Sequence, residues 1–317
     1  MDIRQLRYFQ AVAELGSFSR AAMLLRISQP AISRQVRKLE EELHAPLLVR
    51  HGHGVTATDA GAKLLERGHQ ILRDLEQTKA DIRNETEEPA GVISLAVPPG
   101  AGHYLVPPLV ARFRAQFPRV HLRILGGFSG YIQEWLAAGR VDAGVMHGAS
   151  PIPSVSLTQL LTEETFVVTP PLTPAPERGY FILDDLGRLP LLLPTRSNSL
   201  RRHFDGLAAS RGITLNPHVE VDGQAIIKTL VKEGFGFSIL TRGAVEDDLR
   251  RGEICAVPFR PRITWSLALA VRRDVRLSRT LSAALVLIRE ICSELTQSGV
   301  WPAEVVDSDV GSEMIRE

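Results

Sequence analysis

The segment of residues 28 to 43 reads SQPAISRQVRKLEEEL, and its apolar side chains recur at spacings of four, three and four residues. That spacing predicts an amphipathic helix, because it places every apolar side chain on one face. The apolar stripe consists of Ile32, Val36, Leu39 and Leu43. We expect Ser28 to cap this helix by accepting the backbone N–H of Ala31, and Pro30 occupies the first turn, where a missing N–H costs little. The opposite face is polar, which is typical both of a solvated helix and of one shaped to fit a partner.

Two more helices are predicted before this segment. The first has Leu6, Phe9 and Ala13 on one face and ends at Gly16. Ser17 then caps the second, FSRAAMLLR, whose small residues allow another helix to approach closely. The second and third helices are short and joined by a tight connection, and the third has a polar outer face. This is the helix-turn-helix pattern, which places a recognition helix in the DNA major groove.

Farther on, LLVR and VTAT flank HGHG, whose glycines permit a tight reversal, so a small β-hairpin or wing is predicted.

The polar face of the third helix carries side chains suited to DNA. Residues 1 to 58 contain 8 Lys and Arg against 5 Asp and Glu, and the acidic residues of this helix gather at its C-terminal end, so its N-terminal half is positive. A helix N-terminus favours phosphate, and the side chains of Gln29, Ser33 and Arg34 match the donors and acceptors of base edges. Arg37, one turn beyond Ser33, is better placed for a backbone phosphate.

The predicted wing carries Arg50, His51 and His53, where contacts with flanking phosphates or the minor groove are expected. A pair of histidines can also ligate a metal ion. Here the pair lies on a glycine-rich turn without a nearby Cys, Asp or Glu, so we predict a loop and no metal site.

Helical periodicity returns from Thr58 to about Glu88, with small and apolar residues alternating at spacings of three and four. These residues are Gly61, Leu64, Gly68, Ile71, Leu75, Thr78 and Ile82. A seam of about 31 residues spans roughly 45 Å at about 1.5 Å per residue, which is too long to bury against a small winged domain. The seam therefore predicts a linker helix, residues 59 to 88, that pairs with its own copy in a dimer.

Pro89 marks a boundary, beyond which predicted strands and helices alternate as in α/β domains with parallel sheets. Strands are predicted at GVISLAV, VHLRIL and VDAGVMHG, and a second set at TFVVT, LPLLLP, HVEVD and FGFSIL. WSLALAV and a final helix near 279 to 296 close the unit. This order predicts two similar lobes with a cleft between them, one of about 89–161 plus 266–300 and one of about 162–265.

The composition excludes several classes of protein. The 317 residues carry a formal net charge of +1, so any contact with nucleic acid must depend on local charge. Cys255 and Cys292 form no CxxC pair, so the sequence indicates neither a disulfide framework nor a zinc cluster.

The N-terminus lacks a signal peptide and no stretch approaches the roughly 18 apolar residues of a membrane span, so we expect a cytoplasmic protein with no membrane partner. Residues 301 to 317 are polar and acidic and are predicted to be disordered.

Between residues 3 and 61, the stretch LRYFQAVAELGSFSRAAMLLRISQPAISRQVRKLEEELHAPLLVRHGHGVTATDAG resembles the N-terminal signature of the LysR-type transcriptional regulators. The likeness runs through SFSRAA, SQPAISRQ, KLEEEL and TDAG and continues more weakly to about residue 296. GVTATDAG and VPPGAG are similar to regulators of the nitrogen-assimilation-control type. The wing departs from the family pattern, which has another arginine where this chain has HGHG.

This resemblance implies a winged helix-turn-helix in residues 1–58, a dimerising linker helix, and a periplasmic-binding-protein-like effector domain in residues 89–300, usually assembled as a tetramer. It implies sequence-specific binding of a double-stranded DNA operator, controlled by a small-molecule effector, with RNA polymerase as a further partner. The family's DNA-contacting positions match Gln29, Pro30, Ser33 and Arg34. Together with the residues predicted from the helix and wing, the expected DNA-binding set is Ser28, Gln29, Pro30, Ser33, Arg34, Arg37 and Arg50.

In the α/β region, ligands of doubly wound sheets bind beyond the carboxyl ends of the strands and against helix N-termini. Four connections meet that condition: PPGAG (98–102), GGFSG (126–130), HG (147–148) and TRSNS (195–199). We expect a small anionic effector held there by free amides and hydroxyl groups. The predicted contacts are Pro99, Gly100, Ala101, Gly127, Phe128, His147, Thr195, Arg196 and Ser197. In the alternative interpretation, the polar residues of TRSNS only cap their helix and the arginine pairs with a neighbouring acid.

Two other functions stay open at this point. One is an enzyme in which the two-lobed domain acts on its ligand, but the candidate loops offer mainly Gly, Pro, Ser and Thr, and the sequence contains no GxSxG, HExxH or P-loop motif. The other is an architectural DNA protein with an empty effector domain. The sequence favours a DNA-binding transcriptional regulator with an α/β effector domain, no enzymatic activity, no cofactor and no metal.

Overall fold

The computed structural model of the chain describes residues 1–52, 54–83, 89–148, 153–274 and 277–305. The chain divides into two compact units, the first built mainly from residues up to Glu87 and the second mainly from the residues that follow. In chain order, the first unit contains α1 (Ile3–Leu15), α2 (Phe18–Leu25), α3 (Gln29–Glu42), β1 (Leu48–His51), β2 (Gly54–Ala57) and α4 (Asp59–Arg83).

The first two helices have the ends that their sequences predict. In a capping box before α1, the backbone N–H of Gln5 donates to Asp2 and the N–H of Asp2 donates to the Gln5 side chain, both at 2.8 Å. The helix ends at Gly16, whose φ of 61° lies in the left-handed region that favours glycine. Ser17 caps α2, because its Oγ accepts the backbone N–H of Arg20 at 3.3 Å. α2 and α3 follow each other across a short connection, residues 26–28, as the predicted helix-turn-helix requires.

Two details of α3 differ from the prediction. Ser28 occupies the N-cap position, but its side chain makes no capping hydrogen bond, and the N–H of Ala31 donates instead to the backbone oxygen of Ser28 at 3.1 Å. Leu43 lies at the C-cap and is 39% exposed, because the helix ends at Glu42 and the chain then leaves the helical phase. The buried stripe thus has three members, Ile32, Val36 and Leu39.

The predicted wing is confirmed as an antiparallel hairpin of β1 and β2, with His51 opposite Gly54. The N–H of Val55 donates to the backbone oxygen of Gly16 at 3.0 Å, which attaches the hairpin to the turn between α1 and α2. His53, the second histidine of the predicted wing, lies outside the described residues.

The first half of the predicted seam on α4 packs inside its own unit, contrary to the prediction. A Cβ atom added at Gly61 would lie 2.0 Å from the backbone oxygen of Leu47, and one at Gly68 would lie 2.9 Å from Cδ1 of Leu6. Glycine therefore serves here to bring α4 close to the rest of the unit. Farther along the helix Ile71 is 42% exposed. The side chain of Ile82 and residues 84 to 88 lie outside the described part of the chain.

The second unit alternates strands and helices, as predicted. In chain order it contains β3 (Gly91–Val97), α5 (Pro99–Gln116), β4 (Val120–Gly126), α6 (Ser129–Ala137), β5 (Ala143–His147), β6 (Val155–Thr169), a 3₁₀ helix (Leu183–Arg188), β7 (Leu192–Leu193), α7 (Ser199–Ala209), β8 (Val219–Glu220), α8 (Gln224–Lys232), β9 (Ser238–Thr241), α9 (Arg242–Arg250), β10 (Cys255–Pro258), β11 (Thr264–Arg272), α10 (Arg279–Gln297) and β12 (Ala303–Val305).

The main sheet has the order β10-β6-β11-β5-β3-β4, with β9 and β12 also paired to β6. β3 is parallel to β4 and β5, as the alternating pattern predicts, whereas β11 is antiparallel to both of its neighbours, so the sheet is mixed. β6 pairs with β11 up to Glu164 and with β9 from Thr165 onward. A single long strand therefore passes from one lobe to the other.

Each lobe has its own hydrophobic core. Lobe I consists of β3, β4, β5, β11, β12 and the first part of β6 with α5, α6 and α10, and residues such as Leu105 and Ile288 fill its core. Lobe II consists of the last part of β6 and β7 to β10 with α7, α8 and α9, and its core contains Phe204 and Val231. The prediction of two α/β lobes is confirmed.

Three segments of the second unit differ from the sequence prediction. PPGAG forms the start of α5, which begins at Pro99, and α9 was not predicted. Residues 301–305 fold, although they belong to the segment predicted to be disordered. Trp301 is fully buried and donates its indole N–H to Oε1 of Glu163 at 3.1 Å, and β12 then pairs with β6. The rest of that segment, 306–317, lies outside the described residues.

Candidate functional site

The exposed face of α3 collects most of the residues predicted to bind DNA. Pro30, Arg34 and Arg37 are exposed and Gln29 and Ser33 are partly exposed, while the apolar stripe of the helix packs on the core of the unit. The N-terminal backbone amides of a helix add positive potential at the same end. We call this surface the recognition surface and define it by Ser28, Gln29, Pro30, Ser33, Arg34 and Arg37.

Two of the acidic residues at the other end of α3, Glu40 and Glu42, have partners within the unit. Oε1 of Glu40 accepts the backbone N–H groups of Leu47 and Leu48 at 2.8 and 3.1 Å, which ties the helix to the start of the wing. Glu42 forms an ion pair with the amino group of Met1. These carboxylates therefore lie away from the recognition surface, which keeps its positive character.

Arg50 of β1 lies beside the recognition surface rather than apart from it. Its Nη2 donates to Oγ of Ser33 at 2.8 Å, and its guanidinium carbon lies 4.3 Å from the centre of the Phe18 ring. The structure therefore joins a predicted wing residue to a predicted base-contacting residue. His51 is exposed on the same strand.

A cleft lies between lobe I and lobe II. Its volume is about 580 Å³, including the space open to solvent. From lobe I it is lined by Pro98, Pro99, Gly100, Phe128, Ser129, His147 and Trp265, and from lobe II by Pro194, Asn198, Ser199, Leu200, Gln224, Ile227, Leu240, Thr241 and Ala244.

The N-terminal ends of several helices converge on this cleft. Its lining includes the N-cap residues of α5, α7 and α9, which are Pro98, Asn198 and Thr241, and the first residues of α6 and α8, which are Ser129 and Gln224. Each helix N-terminus carries roughly half a positive charge from its aligned peptide dipoles. The cleft therefore suits a negatively charged group.

The described residues that line the cleft include no Lys, Arg, Asp or Glu. Most of them are apolar, and the polar ones carry hydroxyl, amide, imidazole or indole groups. The described lining therefore offers an anion helix-end amides and polar side chains and no Lys or Arg. Among the described residues, no group of three or more His, Cys, Asp or Glu could hold a metal ion.

His147, at the end of β5, is held on three sides. Its Nε2 lies 2.5 Å from Oε2 of Glu163, and its ring stacks on Trp265 with 4.2 Å between the ring centres. Oγ of Ser129 donates to the backbone oxygen of His147 and accepts its N–H. The serine hydroxyl is thus engaged with the backbone, so these residues shape the wall of the cleft and do not form a serine–histidine nucleophile pair.

Two buried groups in lobe I that could act as nucleophiles stay protonated at neutral pH. Burial, with the negative charges of Glu246 and Glu163, raises the pKa of Tyr104 to about 12. Burial, with the charge of Glu163, also raises the pKa of the Cys292 thiol to about 12. A thiol of this kind is inert, because the thiolate is the reactive form.

The residues predicted for the effector fall into two groups. Four of them line the cleft, namely Pro99, Gly100, Phe128 and His147. The other five are not among its lining residues: Ala101, Gly127, Thr195, Arg196 and Ser197.

The residues that do not line the cleft have other environments. Ala101 is fully buried in the lobe I core, and Gly127 packs against the ring of Trp135. The Thr195 hydroxyl donates to Asp222 at 2.6 Å and contacts that of Ser197 at 2.8 Å, while Arg196 is exposed. Oδ1 of Asn198 caps α7 by accepting the N–H of Leu200.

Sequence reasoning missed several residues of the cleft. Ser199 was considered only as a cap, and Gln224, Thr241 and Trp265 were not considered. Thr241 precedes a helix at a position where threonine is favoured, so capping rules could have identified it. The stacking of Trp265 on His147 joins residues far apart in the chain, and the sequence carries no signal for it.

Comparisons with known proteins agree with this geometry. Residues 3–62 match the model "Bacterial regulatory helix-turn-helix protein, lysR family", and residues 86–293 match "LysR substrate binding domain". The chain is 29% identical over 304 residues to the nitrogen assimilation regulatory protein nac of Escherichia coli K12, covering 95% of this chain and 97% of that protein. It is 27% identical to the transcriptional regulator BbuR of Bordetella bronchiseptica, covering 95% and 93% of the two chains.

Solved structures show the same fold. A full-length variant of OxyR from Pseudomonas aeruginosa aligns with a TM-score of 0.69 at 23% identity, covering 92% of this chain and 94% of OxyR. Full-length CbnR in complex with its target DNA aligns with a TM-score of 0.65 at 24% identity, covering 93% and 99%. The matched families consist of transcriptional regulators and not of enzymes. The chain therefore belongs to the LysR family of DNA-binding transcriptional regulators, with an N-terminal helix-turn-helix and a C-terminal effector-binding domain.

Proposed function

We propose that this regulator reads a two-half-site operator through the recognition surface of α3 and that a small anionic effector in the interlobe cleft controls this binding. The DNA contacts are Ser28, Gln29, Pro30, Ser33, Arg34 and Arg37, with Arg50 at their edge. The observation that supports the anion is the convergence of the N-terminal ends of α5, α6, α7, α8 and α9 on one cleft.

The assembly that we propose is a dimer paired through the exposed part of α4, and a tetramer of two such dimers. Ile71 is 42% exposed and Leu75 is partly exposed, so both are available to a second copy. Pairing of this helix fixes two winged domains at the spacing of two half-sites. Effector binding alters lobe closure and the packing of protomers, and thereby the half-site spacing and the DNA bend.

Three further features complete the proposal. The protein acts in the cytoplasm, where it has access to DNA, and contacts RNA polymerase when bound at a promoter. The described helices include none with the length and apolar character that crossing a bilayer requires. The similarity to nac supports a nitrogen-assimilation-control type of regulator, because GVTATDAG and VPPGAG point the same way.

The DNA contacts are tested by Arg34→Ala in the full-length protein, with binding measured on a duplex selected in vitro by the wild type. We expect the loss of one base contact to weaken binding by about 1–3 kcal/mol and to relax specificity at one base pair. Arg114→Ala removes the same charge from an exposed position on α5 and serves as the matched control. Equal affinities of both variants on selected and random DNA would contradict the proposed recognition surface.

The effector is tested by thermal shift with small carboxylates, each paired with the corresponding neutral amide. We expect stabilisation by one or more carboxylates and not by their amides, since the helix ends favour a negative charge. Ser199→Asp places a carboxylate in the cleft and should abolish the stabilisation, whereas Ser210→Asp at the other end of α7 should preserve it. If no carboxylate stabilises the protein and DNA binding never responds to one, an architectural role with an empty cleft is favoured.

A further inference from the structure

Arg50 contacts both helices of the helix-turn-helix from a strand of the wing. Its guanidinium lies over the ring of Phe18, the first residue of α2, and it donates a hydrogen bond to Ser33, in the second turn of α3. Phe18 is 7% exposed and belongs to the core of the unit, so the surface under Arg50 is fixed by packing. The arginine therefore rests on a rigid support.

Other ties between the wing and the helices are hydrogen bonds from backbone N–H groups of the wing, and the buried side chains of Leu47 and Val55 also pack in the core of the unit. Val55 donates to Gly16 at 3.0 Å, and Leu47 and Leu48 donate to Glu40 at 2.8 and 3.1 Å. The first bond attaches the hairpin to the end of α1, and the others attach it to the C-terminal part of α3. Among the described residues, Arg50 adds a side-chain hydrogen bond to the part of α3 that carries the recognition surface.

Arginine suits this position for a reason that lysine does not share. The planar guanidinium can stack on an aromatic ring with its face and still donate hydrogen bonds along its edge. A lysine ammonium keeps the charge but has no flat face and no fixed fork of donors. The contact with Phe18 and the bond to Ser33 can therefore be separated experimentally from the charge of residue 50.

We propose that Arg50 is a positioning residue, which holds the wing at a fixed distance from the recognition surface, with Phe18 as its support. A winged regulator contacts the major groove with its helix and the neighbouring backbone or minor groove with its wing, so the distance between them determines which DNA both can contact together. In this role the geometry of Arg50 matters more than its charge. This inference rests on the proposed DNA interface.

The test compares Arg50→Lys, Arg50→Gln and Phe18→Leu in the full-length protein on the in vitro selected duplex. Affinity is measured at several salt concentrations, and hydroxyl-radical footprinting maps the minor groove under the wing. We expect Arg50→Lys to lose at least tenfold in affinity and to lose protection under the wing while protection under α3 remains. We also expect Phe18→Leu, which removes no charge, to reproduce this pattern, and the Arg50→Lys, Phe18→Leu double variant to be no worse than either single one.

The opposite outcome would show that Arg50 acts only as a phosphate contact and does not position the wing. In that case Arg50→Lys would bind with wild-type affinity and footprint, and Arg50→Gln would lower the slope of log K against log salt by about 0.9, as expected for one phosphate. Phe18→Leu is interpreted only after circular dichroism shows a folded protein, and Arg50→Lys answers the question without it. If the wild type gives no sequence-specific footprint, the proposed function fails instead.

Discussion

Replacing Gly61 with alanine is expected to destabilise the first unit by about 2 kcal/mol or more. The new Cβ would lie 2.0 Å from the backbone oxygen of Leu47 and 3.0 Å from its carbonyl carbon. Backbone atoms cannot relieve a clash by a change of rotamer as a side chain can, so α4 or the start of the wing must move. Alanine also favours a helix over glycine by about 1 kcal/mol, which offsets part of this cost. The displacement of Leu47 should in addition weaken DNA binding, because β1 begins at the next residue.

Gly68→Ala in the same helix provides the matched control. Its Cβ would meet Cδ1 of Leu6 at 2.9 Å, the end of a flexible side chain, so the gain in helix propensity should nearly balance the contact. Trp135, Trp265 and Trp301 all lie in the second unit, so their fluorescence follows that unit while circular dichroism follows the helices of both. Urea unfolding read by both signals isolates the first unit. A Gly61→Ala protein as stable as wild type, or more stable than Gly68→Ala, would refute the reasoning.

Three further outcomes are expected. Trp301→Phe keeps an aromatic ring but leaves Glu163 without its indole donor, so the free energy of unfolding of the second unit should fall by about 1.5–3 kcal/mol. Urea unfolding followed by the remaining tryptophan fluorescence measures this change, and an unchanged midpoint would contradict the buried hydrogen bond. Burial alone would raise the pKa of Asp248, but hydrogen bonds from two lysines of α8 outweigh it and hold that pKa below its ordinary value of 3.8. Its stabilisation is therefore complete above about pH 4 and is lost as the pH falls further, and Asp248→Asn should flatten this dependence in unfolding measured from pH 6 to pH 3. Ile71→Lys should weaken the dimer in sedimentation, and an undiminished dimer would exclude this part of α4 from the pairing.

The elements of the first unit could be predicted because their signals are local. The spacing of Ile32, Val36 and Leu39 gives the buried face of α3, and Gly16 with Ser17 gives the turn before α2. The predictions that were wrong concern residues whose environment depends on a tertiary contact. Gly61 and Gly68 fit the spacing of an intermolecular seam, but glycine also permits close packing within a unit, and only the fold distinguishes the two.

The location of the cleft could be predicted from the sequence, but only part of its lining could. Strand order indicates where ligands bind to such sheets, so four of the nine predicted residues line the cleft, including Phe128 and His147. The prediction for lobe II fell short by a few residues, because TRSNS contains several polar side chains before the helix and only Asn198 caps it. Trp301 was assigned to a disordered tail because the residues after it are polar, whereas its burial depends on a partner in β6.

The source of the positive potential in the cleft matters for the proposed switch. α5 and α6 belong to lobe I and α7, α8 and α9 to lobe II, so an anion seated among their N-terminal ends would be stabilised by both lobes at once. Either lobe alone would offer only part of that stabilisation, so under the proposed function the anion would bind a closed arrangement more tightly than an open one. A ligand shifts a conformational equilibrium only through such a difference in affinity. Because the described lining carries no Lys or Arg, it offers an anion no salt bridge from either lobe, and under the proposed function binding would be linked to closure.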